Sequence, residues 1–187
     1  MMSDRRLGEK FRRASHGRRT IVRLVIGLLI FLVVSQSEAA DWQVYTSRDG
    51  RFTATFPGKV AVKQIDNATF YSASPPNVDA DFRIATNDRP YADVNFEESF
   101  RELQRIRRSI ATTQNVQLEE ELDFLFNGMP ACRFQYLKKV DNRVTALYET
   151  IYVLDGRRFY QLICGYDAKK PLAQDAQTFF NSFQITR

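Results

Sequence analysis

Residues 131–167 read ACRFQYLKKVDNRVTALYETIYVLDGRRFYQLICGYD, and this stretch decides the fold of the chain. It contains three runs rich in aromatic and β-branched residues, separated by polar breaks at residues 141–143 and at Asp155-Gly156. Such runs are typical of β-strands, and Asp-Gly is a strong hairpin signal. The stretch therefore predicts a three-stranded antiparallel meander, whose apolar face other segments must cover.

Further strands are predicted before the meander, because short runs of alternating residues are bounded by turn residues. Phe52, Ala54 and Phe56, for example, share one face of a run that Pro57-Gly58 ends. The predicted strands outside the meander are residues 42–47, 51–56, 60–65, 69–74, 80–86 and 116–126.

The run 116–126 combines apolar and acidic positions. Regular alternation places Glu120 on the face opposite Glu119 and Glu121, which argues against a cation site made by all three. We therefore expect an edge strand that charge protects from further pairing. The apolar residues all fall at even positions, which predicts one shared face: Leu118, Leu122, Phe124 and Phe126.

Two helices are predicted to cover the sheet. The first runs from Asn95 to about residue 111, since Asn95 and Glu98 make a capping-box pair. Arg101, Arg105 and Arg108 lie off its apolar stripe and are expected on a solvated face. The second helix follows Pro171, a residue suited to a first turn. The apolar stripes are Phe96, Phe100, Leu103, Ile106 and Ile110 in the first helix, and Leu172, Ala176, Phe179, Phe180 and Phe183 in the second.

Residues 1–39 are typical of a signal peptide, with a basic leader, an uncharged apolar run at 24–34 and small residues after it. Cleavage after Ala39 puts Ser37 at the −3 position, whereas cleavage after Ala40 puts Glu38 there. The alternative is an uncleaved inner-membrane anchor at residues 24–37, which is short of the roughly 20 apolar residues that a spanning helix needs. The chain is thus predicted to be periplasmic or secreted, with one domain at residues 40–187.

The basic charge of the chain belongs to this leader. The whole sequence carries a net charge of +5, and residues 1–39, with eight basic and three acidic side chains, carry the same net charge. The remainder is therefore neutral on balance. This charge distribution gives no support for nucleic-acid binding by the domain, and it limits membrane contact to an uncleaved leader.

Two segments resemble the PsbP-like family of exported domains. One is the series Trp42, Tyr45, Asp49-Gly50-Arg51-Phe52 and Phe56-Pro57-Gly58-Lys59, and the other joins residues 158–162 with residues 179–185. The resemblance implies an α+β fold, namely an α/β/α sandwich with a central antiparallel sheet of six or seven strands. It also implies binding or assembly support with no shared catalytic residue. The histidines linked to metal binding in PsbP have no counterpart here.

Few residues offer catalytic or metal chemistry. The single histidine, His16, lies in the leader, and no Gly-rich nucleotide-binding motif occurs. We therefore predict no enzyme activity, no cofactor and no metal site. Cys132 is expected opposite residue 151 or 152, which lies opposite 159 or 160. Cys164 is then two strands away and offset by four or five residues, too far for a disulfide, so two buried free thiols are predicted.

The predicted function is an exported, non-enzymatic domain that binds another envelope protein or supports an envelope assembly. Tyr136, Tyr148 and Tyr152 are expected to share a strand face and, with Glu149, form the candidate surface for a partner or ligand, although core packing also accounts for the tyrosines. Two alternatives are a carrier with an apolar cavity between sheet and helix, and an enzyme that uses Asp123 or Glu149. The sequence leaves the partner, the oligomeric state and the export route open.

Overall fold

The predicted meander forms, and it lies within a larger antiparallel sheet. A computed structural model describes residues 41–75, 79–89, 95–141, 143–169 and 173–186. The helices are α1 (Phe96–Gln114) and α2 (Ala173–Ser182). The strands are β1 (Trp42–Ser47), β2 (Phe52–Pro57), β3 (Ala61–Ile65), β4 (Ala68–Ala73), β5 (Ala80–Asp88), β6 (Leu118–Phe126), β7 (Met129–Val140), β8 (Arg143–Asp155), β9 (Arg158–Asp167) and β10 (Gln184–Ile185).

Seven strands form the main sheet, in the order β3-β4-β5-β9-β8-β7-β6, and each neighbouring pair is antiparallel. This confirms the α+β class and the predicted central sheet of six or seven strands. The sequence did not predict a second sheet. β1, β2 and β10 form it, and β10 pairs with β2 through Gln184 opposite Thr53 and Ile185 opposite Phe52.

Helix and sheet side chains fill both faces of the main sheet. On the α2 face, Phe179 and Phe183 pack with Phe56 and Phe82 in a large aromatic cluster. On the α1 face, Leu103 packs in a smaller cluster with residues of the meander: Cys132, Phe134, Tyr136, Tyr152 and Leu154. Burial of these side chains provides most of the stabilisation of a fold of this size.

The helix α1 begins as predicted. The Asn95 side chain accepts a hydrogen bond from the backbone N–H of Glu98, and the Glu98 side chain accepts one from the backbone N–H of Asn95. The helix runs three residues past the expected end, to Gln114, where Asn115 adopts the left-handed conformation at φ 51°. The stripe prediction was wrong at its first position, because Phe96 is 54% exposed.

Arg101, Arg105 and Arg108 all lie on an exposed face of α1, as predicted. Arg101 pairs with Glu97 at 2.9 Å and Arg105 with Glu102 at 2.7 Å. Hydrogen bonds from Arg105 and Arg89 lower the pKa of Glu102 to about 2, since they favour the ionised carboxylate. Arg89 thereby ties the end of β5 to the helix.

An irregularity in β6 makes the predicted shared face wrong. Glu119 lies opposite Gln135 but Leu122 lies opposite Arg133, so one extra residue is inserted between them, and Glu120 has a φ of 50°. A β-bulge of this kind reverses the alternation that follows it. Leu118 therefore packs on the α1 face, whereas Phe124 and Phe126 pack on the α2 face. Leu122 is 57% exposed.

The bulge also brings acids to α1. Arg107 is buried, and its guanidinium contacts Glu121 at 2.8 Å and Asp123 at 2.9 Å. This contact was not predicted, because regular alternation places both acids on the face opposite Leu118, away from α1. The expected edge position of β6 is confirmed by the strand order.

The cysteines remain free, as predicted, and both are buried. Cys132 lies opposite Tyr152, but Tyr152 lies opposite Gln161, one residue beyond the expected position. Cys164 is therefore offset by three residues rather than four or five. The two thiols also face opposite sides of the sheet, since Cys132 packs on the α1 face and Cys164 on the α2 face.

Several predictions fall outside the described residues. These are the signal peptide at 1–39, the alternative anchor at 24–37, and the start of the second helix at Pro171 and Leu172. Within the described ranges, neither helix combines the length and the apolar character needed to cross a membrane.

The bulge generates a stability prediction. Replacement Glu120→Gly should raise the free energy of unfolding by about 0.5–1 kcal/mol, because glycine adopts a positive φ without the steric strain of a Cβ atom. The matched replacement Glu119→Gly, one position earlier in the strand, should lower it by about 0.5–1 kcal/mol. Urea unfolding followed by circular dichroism measures both. Equal destabilisation by the two replacements would contradict a strained Glu120.

Candidate partner-binding groove

Two tyrosines of the meander stack on the α1 face of the sheet. Tyr136 lies directly opposite Tyr148 in the β7–β8 register. Their ring centroids are 4.9 Å apart and their planes differ by only 6°. Tyr136 is buried and Tyr148 is half-buried, so the stack reaches from the core to the surface. Offset stacking of this kind stabilises an aromatic pair beyond the area that it buries.

Gly165 provides the space for this stack. It lies opposite Tyr148 in the β8–β9 register, and a Cβ atom there would lie 2.6 Å from Cε1 of the Tyr148 ring. Because glycine has no side chain, the ring lies across β9 instead of turning away from the sheet. A glycine inside a strand often marks such a close approach.

An open groove of about 730 Å³ lies beside the stack. Tyr136 and Tyr148 line it, together with residues 114–117, which join α1 to β6, and residues 137–139 of β7. Arg83 of β5 also lines it, and its guanidinium donates to Asp81. Tyr148 also lines a second, smaller groove of about 260 Å³, together with Gly165 and Tyr166.

The environment of the stack keeps Tyr136 protonated. Burial raises the pKa of Tyr136 to about 12, Tyr148 adds to this effect, and Arg83 opposes it. At neutral pH the Tyr136 hydroxyl is therefore a neutral hydrogen-bond donor and acceptor. With cationic, amide and acidic side chains around it, the groove suits a ligand that has both apolar and polar groups.

Tyr152 shares the α1 face with the stack, as predicted, but it does not line either groove described above. It is 1% exposed, and its ring packs edge-to-face on Phe134 at 5.1 Å. Its hydroxyl accepts a hydrogen bond of 2.7 Å from Nε2 of Gln161. Burial raises the pKa of Tyr152. Tyr152 therefore acts as core support beneath the stack.

Glu149 lies on the opposite face of the sheet from the tyrosines. It is 5% exposed, so it does not form one exposed surface with them, contrary to the prediction from the sequence. Nη2 of Arg133 contacts one carboxylate oxygen at 2.7 Å, and the Tyr166 hydroxyl donates to the other at 2.5 Å. Burial and this hydrogen bond raise the pKa of Tyr166. The carboxylate is thus paired on both oxygens.

Asp123, the other carboxylate considered for catalysis, is also held in structural contacts. Its two oxygens accept hydrogen bonds from Gln104 at 2.8 Å and from Arg107 at 2.9 Å. Burial raises the pKa of the Cys132 thiol to about 12, and it also raises the pKa of Cys164. Within the described ranges, no three His, Cys, Asp or Glu side chains are grouped so that they would hold a metal ion.

The solved structures identify the architecture. The solution structure of cyanobacterial PsbP (CyanoP) from Synechocystis sp. PCC 6803 matches with a TM-score of 0.60 at 10% identity, covering 78% of this chain and 93% of that one. The chain has a PsbP-like fold. A crystal structure from Bacteroides thetaiotaomicron VPI-5482 matches with a TM-score of 0.52 at 9% identity. That match covers 78% of this chain but only 48% of the Bacteroides chain.

These similarities show the fold alone, since both identities are low. No protein-family model matches the sequence, and no curated protein matches it significantly. Within this PsbP-like fold, sequence reasoning found both tyrosines of the stack but missed Gly165 and Arg83. The signal for Gly165 was present, because a lone glycine interrupts the apolar run of the third meander strand.

The close approach at Gly165 predicts a coupled pair of mutations. Gly165→Ala should lower the free energy of unfolding by about 1–2 kcal/mol, because the new methyl group displaces the Tyr148 ring. In a Tyr148→Ser background the same replacement should have an effect of less than about 0.5 kcal/mol. A double-mutant cycle from urea unfolding measures the coupling, and near-ultraviolet circular dichroism reports the ring environment. Additive effects would contradict the contact.

The pairing of Glu149 predicts a structural role. Glu149→Gln should lower the free energy of unfolding by about 1–2 kcal/mol, because Arg133 loses its charged partner. The loss is limited to this size because the Arg133 side chain is partly exposed to water. The exposed Glu119→Gln serves as the control and should change stability by less than about 0.5 kcal/mol. Thermal and urea unfolding measure both. An unchanged stability of the Glu149 variant would argue against this role.

Proposed function

We propose that this chain is an exported, non-catalytic PsbP-like domain that binds another envelope protein through the groove beside Tyr136 and Tyr148. The observation that carries the proposal is the stack itself. An aromatic pair extends from the core into an open groove, and a glycine on the next strand makes room for it. Tyrosines in such positions provide a rigid apolar contact together with a polar hydroxyl, which suits a protein interface.

The state of the ionisable groups supports a binding role over catalysis. Glu149 and Asp123 each have both carboxylate oxygens in hydrogen bonds with neighbouring side chains. Both thiols are buried with a raised pKa, so little thiolate forms at neutral pH. A nucleophile or general base requires an accessible group with a pKa suited to its task. Glu149 and the two thiols are buried and lack that access, while Asp123 is exposed but has both oxygens engaged by Gln104 and Arg107.

The leader supports a location outside the cytoplasm. Its basic region, apolar run and small residues have the order found in secretory signal peptides. We propose a periplasmic or secreted domain, with an inner-membrane anchor at residues 24–37 as the alternative. The neutral charge of residues 40–187 agrees with a protein partner better than with nucleic acid.

The size of the groove supports a second candidate function, a small-ligand carrier. About 730 Å³ is within the range of small-molecule sites. The groove lies at the end of the sheet, whereas the packed interface between sheet and α2 contains large buried rings such as Phe179 and Tyr160. A carrier would therefore hold its ligand beside the tyrosine stack. Native mass spectrometry of the purified chain would detect a ligand that stays bound.

The proposal predicts that partner capture depends on Tyr148. The partner is cross-linked to the chain and recovered from the envelope fraction of the source cells. Tyr148→Ser should reduce this recovery by about tenfold, which corresponds to a loss of roughly 1.4 kcal/mol in binding free energy. The physical reason is the loss of the exposed ring of the stack. The control is Tyr45→Ser, a half-buried tyrosine that packs with the α2-face cluster. Quantitative mass spectrometry measures recovery, and circular dichroism confirms that each variant is folded. Equal recovery by folded variants would contradict the proposed surface.

A further inference from the structure

The hairpin between β7 and β8 extends beyond its neighbours in the sheet. β6 pairs with β7 only as far as Leu118 opposite Tyr136, and β9 pairs with β8 only as far as Asp167 opposite Ala146. Within the described part of the chain, residues 137–140 therefore pair with β8 alone. We call residues 137–141 and 143–145 the hairpin arm. Its β7 edge follows directly from the tyrosine stack and lines the groove.

Residues 137–140 carry no glutamate run like that of β6, and the β7–β8 pair has its own register shift between Lys138 and Lys139. Along β6, the bulge at Glu120 and three consecutive glutamates oppose the addition of another strand. That protection stops at Leu118, the first residue of β6, which lies opposite Tyr136. Beyond it, residues 137–139 line the groove together with residues 114–117. Four extended residues present about 13 Å of strand edge.

The arm is basic, although the domain as a whole is neutral. Lys138, Lys139 and Arg143 lie in it with a single acid, Asp141. None of these three cations forms an ion pair with the described residues. Two apolar side chains of the arm are also exposed: Val140 at 49% and Val144 at 37%. Unpaired cations beside exposed valines fit an acidic partner with apolar side chains.

We propose that the partner presents an extended acidic segment that adds as a strand to the β7 edge of the hairpin arm. This inference rests on the proposed function and names the chemistry of the partner. Backbone hydrogen bonds to residues 137–140 provide affinity, and side chains at alternate positions provide specificity. By alternation, Lys138 continues the face of Tyr136 and Lys139 lies on the other face, so each side of the added strand meets one lysine.

The test uses a defined probe with the full chain. The probe is a fluorescent ten-residue peptide of alternating glutamate and valine, and the control peptide replaces each glutamate with lysine. Fluorescence polarisation should show at least tenfold tighter binding of the glutamate peptide. Hydrogen–deuterium exchange should slow by at least tenfold at residues 137–140 when it binds. Equal affinity for the two peptides, or no binding of either, overturns the inference.

Two further comparisons locate the site. Lys139→Glu should weaken binding of the glutamate peptide by about tenfold, whereas Lys63→Glu, the same charge change on the opposite edge strand β3, should change it by less than about twofold. A peptide in which proline replaces each valine should bind at least tenfold more weakly, because proline cannot donate to a strand ladder. Equal loss at both lysines, retained binding of the proline peptide, or exchange protection at β3 overturns the inference.

Anionic lipid is the competing class of partner for a basic arm. If phosphatidylglycerol vesicles bind the chain in a Lys139-dependent manner while the glutamate peptide does not bind, the arm contacts lipid and the inference is wrong. The outcome for the proposed function is separate. If capture of the envelope partner depends on Tyr148 but not on Lys139, the proposal of strand addition is overturned. The proposal that the groove binds a protein is then unaffected.

Discussion

The structure depends on the backbone register across β7, β8 and β9. This register places Tyr136 opposite Tyr148, and Tyr148 opposite Gly165. A slip of one residue would exchange the faces of every side chain in the strand that slipped. It would move Tyr148 into the α2-face cluster and Glu149 onto the tyrosine face. The stack, the buried acid and the separation of the two thiols all follow from this single alignment.

The same alignment explains why neighbouring residues of β8 have different roles. Tyr148 reaches the groove on one face, whereas Glu149 is buried on the other with Arg133 and Tyr166. An unpaired carboxylate in that position would be unstable, because an isolated charge is expensive to bury. The two partners come from the strands on either side of β8, so the buried acid also ties three strands together. This arrangement accounts for its burial without a catalytic role.

Local signals in the sequence predicted most elements of this PsbP-like fold, because turns, caps and alternation depend on neighbours in the chain. The capping box at Asn95 and the hairpin at Asp155-Gly156 are examples. The bulge at Glu120 was not predictable from alternation, and it reversed the faces that followed it. The stacked tyrosines were placed on one face correctly, yet the register that brings Gly165 beneath Tyr148 depends on pairing between strands. Long-range pairing is the information that local patterns lack.

The groove itself is a consequence of unequal strand lengths. β7 and β8 have 12 and 13 residues, whereas β6 and β9 have 9 and 10. Because the strands are aligned at their other ends by short hairpins, the excess length projects at one end of the sheet as a two-stranded arm. Water can satisfy its free backbone groups, so folding alone does not require a neighbour there. The tyrosine stack lies where paired sheet gives way to this arm, which places the aromatic pair beside a strand edge that no other described strand pairs with.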